Sequence, residues 1–176
     1  MKKLILIFSC SLVLMSIQSC QPGRNADNTG ANGPKTANDS LFVIHEGGHD
    51  FAIYLPKDLM IENTADIKFN DATGDMHMQI GDKFWIIASQ ENIDMDSLRK
   101  EVNENVLFTS LVVEETVNGI LYQRLLPDGK AYDYNYRGIV TVGDKTYIFR
   151  TSEAGEFSRE NVELMKVAIQ SVHHRE

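Results

Sequence analysis

Residues 111–126 read LVVEETVNGILYQRLL, two runs rich in β-branched and aromatic side chains on either side of Asn118-Gly119. Asn-Gly is the strongest two-residue hairpin signal, because both central positions of such a turn take positive φ. The spacing therefore predicts strands over 111–117 and 120–126 joined at Asn118-Gly119. Working outward, Asp128-Gly129 turns the chain into a long strand over 130–142, and Gly143-Asp144 returns it along 145–151. Strands that follow one another this closely pair as antiparallel neighbours. Beyond them Ser158 is placed as a helix N-cap, with Phe157 and Val162 as a hydrophobic staple and Val162, Met165, Ile169 and Val172 on the inward face.

Upstream, 41–44 and 51–55 are short β-rich runs, the second alternating at Phe51, Ile53 and Leu55. Ile67 and Phe69 alternate next. Met76, Met78 and Ile80 then lead through Gly81-Asp82 to a run over 84–88, which reads as a hairpin. Met95, Leu98, Val102 and Val106 keep helical spacing behind Asp94 or Asp96 as N-cap. The segments QIGDKFWII and TVGDKTYIF share Gly-Asp-Lys turn chemistry and each comes just before a helix. Two strand groups, each ended by a helix, give an α+β class with an antiparallel sheet flanked by helices.

The chain opens MKKLILIFSCSLVLMSIQSC, two lysines ahead of a mostly apolar run shorter than the roughly 20 residues a spanning helix needs. This is an export signal, expected over 1–19. Ile17-Gln18-Ser19-Cys20 resembles the lipobox of bacterial lipoproteins. That resemblance implies a diacylglyceryl thioether and N-acylation at Cys20, and so a membrane partner reached through lipid. Of the two cysteines, Cys10 lies in the discarded segment, so Cys20 is left single; acylation gives it an occupant and leaves the domain no disulfide. From 20 to 40 the chain holds no aliphatic residue larger than Ala and no aromatic. It reads as a tether with an r.m.s. reach of roughly 25 Å. Residues 41–176 then form a single domain.

Without Lys2 and Lys3 the chain has 15 basic and 25 acidic residues, a balance of −10. Nucleic acid and anionic lipid surfaces both require clustered Lys and Arg, and no basic stripe is present. Nucleic acid is therefore not an expected partner.

His45 to Asp50 read HEGGHD, satisfying the H-E-x-x-H pattern of zinc peptidases. That chemistry needs both histidines on one helical face with the Glu beside the metal-bound water. Gly47 and Gly48 each cost a helix about 1 kcal/mol, and β-rich runs lie on both sides, so the segment reads as a turn. Two readings of it remain: solvated polar residues around a hairpin, or a shallow metal site in which His45, Glu46, His49 and Asp50 converge, with His77, His173 or His174 contributing.

Tyr132, Tyr134 and Tyr136 alternate in KAYDYNYR and are expected to share one strand face, opposite Asp133, Asn135 and Arg137. They form either an aromatic partner-binding face or a packed layer beneath a helix. Phe84 and Trp85 read as core. Glu114 and Glu115 are adjacent and so face opposite sides of a strand, the wrong geometry for a carboxylate pair. No G-x-S-x-G, P-loop, dinucleotide fingerprint or Cys-His pair occurs.

A hairpin whose second strand ends in Leu-Pro (FAIYLPKDLM), a helix in mid-chain, antiparallel strands around VNG and a closing helix ending near Ser-Val (AIQSV) resemble the Mog/PsbP-like family over residues 41–172. The resemblance implies an α/β/α sandwich. Members include an extrinsic photosystem subunit, a Ran-binding import factor, secretion-system chaperones and envelope lipoproteins, which mostly bind or stabilise other macromolecules. It carries over no catalytic residue and no cofactor.

Together these readings give a membrane-anchored envelope lipoprotein whose domain is a non-catalytic protein-binding or accessory module. Its expected partner is another envelope protein. By analogy with enterobacterial sorting, Gln21 after the modified Cys directs it to the outer membrane, facing the periplasm. The alternative is a metal-binding protein or zinc-dependent hydrolase using His45, Glu46 and His49.

Overall fold

Gly47 and Gly48 have φ of 60° and 84°, a pair of values that bends the backbone back on itself in two residues. They join β1 (Asp39–Glu46) to β2 (His49–Pro56) as an antiparallel hairpin. The computed structural model describes residues 39–104 and 107–175; the signal segment, Cys20, most of the tether and Val106 lie outside the described residues. β1 begins two residues before the expected run, because Asp39 and Ser40 complete the ladder opposite Pro56 and Leu55.

One turn of 3-10 helix (Lys57–Met60) leads to β3 (Ala65–Asn70), β4 (Asp75–Ile80) and β5 (Phe84–Gln90). Helix α1 (Met95–Asn103) follows, then β6 (Thr109–Thr116), β7 (Gly119–Leu125), β8 (Ala131–Val142), β9 (Lys145–Thr151) and α2 (Arg159–Gln170). Strands β3 to β9 form one sheet in the order β3-β4-β5-β9-β8-β7-β6, with every pairing antiparallel. The chain builds one half as a meander, crosses by α1 to the far edge, and meanders back until β9 closes against β5. That closure is the pairing with the greatest sequence separation in the sheet.

Alternation along the strands sorts the two faces. Met76, Met78, Phe84, Ile86, Tyr136, Tyr147 and Phe149 form one buried cluster with Phe51, Ile53 and Leu55 of the hairpin and Val162, Met165 and Ile169 of α2. Ile120, Tyr122 and Ile148 face the other way, against Leu98 and Val102 of α1. The fold is thus α+β: an antiparallel sheet with α1 on one face and α2 beside the β1-β2 hairpin on the other. Both helices start where expected. Asp94 accepts from the Ser97 amide at 2.8 Å and Ser158 from the Asn161 amide at 3.3 Å, each satisfying a donor the helix cannot use. No helix among the described residues is long and apolar enough to cross a membrane.

One turn differs from its expected form. Thr116 pairs with Gly119, so Val117 and Asn118 make the connection, and Gly119 is not among the glycines with positive φ. A Cβ there would lie 2.2 Å from the Tyr136 hydroxyl, and one on its cross-strand partner Gly138 would lie 2.8 Å from the Tyr136 ring. The ring folds over both positions. Gly119 serves close approach rather than the turn.

Candidate functional site

The hairpin register pairs His45 with Asp50 and Glu46 with His49. Cross-strand partners share a face and successive residues alternate, so the two histidines of HEGGH project from opposite faces of the ribbon. His45 is exposed, with Nδ1 3.4 Å from an Asp50 oxygen. His49 is 2% exposed and donates from Nε2 to the Gly74 carbonyl at 2.9 Å. That bond puts the proton on Nε2, and Nδ1, buried among the rings of Phe51, Phe69 and Tyr147, has no hydrogen-bond partner. Lys145 Nζ also donates to the Gly48 carbonyl at 2.5 Å. These contacts fasten the hairpin tip to the sheet.

The other histidines stay apart from the tip. His77 lies on the opposite sheet face beside Trp85, whose indole nitrogen is buried without a partner. His173 stacks on Tyr54 with ring centroids 5.7 Å apart, and His174 approaches Gly143. Among the described residues no group of three or more His, Cys, Asp or Glu is placed to hold a metal ion.

The three tyrosines do not share a face. Arg124 pairs with Asp133 but Leu125 with Ala131, so Tyr132 is the extra residue of a β-bulge. The bulge turns its ring onto Phe108, with centroids 5.0 Å apart and the Arg124 guanidinium beside both rings. Tyr134 and Tyr136 instead pack beneath α2. Polarity is also inverted relative to expectation: Asp133 and Asn135 are 3% and 1% exposed, whereas Tyr132 is 37% exposed. Arg124 Nε donates to Asp133 at 2.7 Å, Nη2 makes a second bond, and Asn135 Nδ2 donates to Asp133 at 2.9 Å. The sequence signal for this network was present as polar residues at alternate positions of an aromatic strand. Its burial came from the far strand and could not be read locally.

Glu114 and Glu115 do face opposite sides. Lys166 of α2 donates to Glu114 at 2.7 Å and Arg99 of α1 to Glu115 at 2.6 Å, so edge strand β6 ties down a helix on each face. On the α1 face, Ser89 donates to Asp75 at 2.5 Å and Arg150 reaches both. Burial works to raise the Asp75 carboxyl, but the Ser89 hydrogen bond and the Arg150 charge outweigh it and hold it below its usual range.

The concave feature is elsewhere. An open groove of about 1540 Å³ runs between the outward face of the β1-β2 hairpin, the chain after α2, the end of β8 and the β6-β7 turn. Leu41, Val43 and Val117 line it while 50%, 48% and 90% exposed, an apolar content that folding leaves uncovered. Sequence reasoning missed it because its walls come from four separate segments. Alternation marked Leu41 and Val43 only as half of a strand. Compared with family models, curated proteins and solved structures, the chain matches none of them.

Proposed function

We propose that this protein is a lipid-anchored lipoprotein of the bacterial envelope, held through Cys20 at the outer membrane facing the periplasm. Its Mog/PsbP-like α/β/α domain acts as a non-catalytic binding or accessory module for another envelope protein. The observation that carries the binding role is the groove, where Leu41, Val43 and Val117 remain exposed beside hydrogen-bonding groups on neighbouring segments. The hairpin geometry supports the non-catalytic part, since His45 and His49 point away from each other and His49 is spent on packing. Anchoring is supported by the lipobox-like Ile17-Gln18-Ser19-Cys20 and the polar tether behind it.

The test is crosslinking in intact cells followed by affinity purification of the tagged protein, with Cys20→Ser as the untethered control. A specific envelope protein, recovered with the native chain and depleted with Cys20→Ser, is the expected result. Recovery of a processed substrate, or no adduct from any surface position, would overturn the module reading. Unchanged membrane retention of Cys20→Ser would overturn the anchor.

A further inference from the structure

We propose that β1 is an acceptor edge for strand addition, taking an extended partner segment that is apolar at alternate positions and carries basic flanking residues. This rests on the binding-module reading above. On one side β1 pairs with β2; among the described residues no strand pairs with its other side. An eight-residue row of main-chain donors and acceptors therefore lines an open edge.

Three observations fit an added strand. Leu41 and Val43 are two residues apart on one face and about half exposed, so alternate side chains of a segment laid beside β1 would pack against them. The hairpin already takes a strand on its opposite edge: the Ala52 amide donates to the His173 carbonyl at 2.9 Å and the His173 amide returns a bond to Ala52 at 3.0 Å. The chain's own C-terminal segment thus demonstrates the pairing chemistry on β2 that β1 leaves unused. Charge selects among occupants. The chain carries −8 overall and exposes Glu46 at the end of β1, so a cationic segment is drawn in, while a second copy or an anionic lipid surface meets like charge.

Phage-displayed random peptides of roughly ten residues, enough to span the strand with flanks, are to be selected on the full-length protein in detergent micelles. The expected outcome is enrichment of sequences apolar at alternate positions with Lys or Arg at an end. A synthetic copy should protect amides of 39–46 from hydrogen exchange. Its affinity should fall about tenfold or more with Val43→Asp, and equally when alternate peptide amides are N-methylated, but not with Leu164→Asp on α2. N-methylation needs no change in the protein, so a folding defect cannot produce that result. No enrichment, binding indifferent to N-methylation, or a self-associated dimer blocked by Val43→Asp would overturn the proposal. Peptides that map to another surface overturn the β1 assignment alone; the absence of any crosslinked partner in cells removes the module reading as well.

Discussion

Arg124 and Asp133 meet side by side in the interior, Nε donating to Oδ1 over 2.7 Å, with side chains only 6% and 1% exposed. A charge pair this dry is held by geometry rather than by its charges alone, since removing both from water costs nearly what their attraction returns. Truncating one member is a different matter, because the other is left charged and alone. Asp133→Ala should cost about 3–5 kcal/mol in urea unfolding, while replacing both residues with apolar ones of similar volume should cost far less. Equal losses in the single and double variants would show that the pair is not the source of the effect.

Tyr136 and the glycine pair beneath it should behave as one unit. Gly119→Ala forces a Cβ into the Tyr136 hydroxyl, an overpacking expected to cost about 1–3 kcal/mol. Tyr136→Phe removes the nearest clashing atom, so it should recover part of that loss in a double-mutant cycle. Additive effects would refute the contact.

The two hairpin glycines should differ. Both have positive φ, but a Cβ on Gly48 meets nothing, whereas one on Gly47 lands 2.1 Å from the Phe69 ring. Gly48→Ala should therefore cost only backbone strain, about 1–2 kcal/mol, and Gly47→Ala distinctly more. Nitrogen NMR of His49 offers an independent check: the bond to Gly74 requires a neutral ring protonated on Nε2. A proton found on Nδ1 would contradict the clamp.

Stability should fall steeply at alkaline pH. Burial is the main cause that pushes the Tyr136 hydroxyl from 10.0 up to about 12, with Glu114 adding and Lys166 opposing. Burial lowers Lys166, but its bonds to Glu114 and Glu163 outweigh that and leave it raised above 10.5. For both groups the folded chain holds its proton more tightly than the unfolded one. Their contribution is complete below pH 10 and is lost as pH climbs through the folded values. Two units on Tyr136 amount to about 2–3 kcal/mol, so Tyr136→Phe should flatten the alkaline limb of thermal stability measured against pH. An unchanged slope would rule this source out.

At the acid end the sign reverses. The Asp75 carboxyl is held below 3.8, so its contribution is present above that value and disappears as pH drops through the folded one. Asp75→Asn should lower stability at neutral pH and shrink the difference from the parent protein at about pH 3. A constant difference across that range would mean the charge is irrelevant.

Local chemistry in the chain was enough to place both helix starts, because Asp94 and Ser158 act on amides three residues away. It also placed the Gly47-Gly48 turn, the strand over 145–151 and the opposed faces of Glu114 and Glu115, since period-two alternation needs no partner to be legible. It misplaced the β6-β7 turn because Gly119 answers to Tyr136, a residue of the next strand. The tyrosine face failed for a related reason: a one-residue bulge opposite Arg124 reverses every side chain on its far side, and alternation cannot foresee where a register slips.

What the amino-acid order determined alone is therefore the export-type leader, the polar tether and an α+β inventory of strands and caps, all of which follow from propensity and spacing within a few residues. Tertiary structure decided the pairing of β5 with β9, the burial of Asp133 beside Arg124 and the groove on β1. Each of these joins segments distant in the chain, and contact between them is fixed by packing and main-chain hydrogen bonding across the sheet, not by any single stretch of sequence.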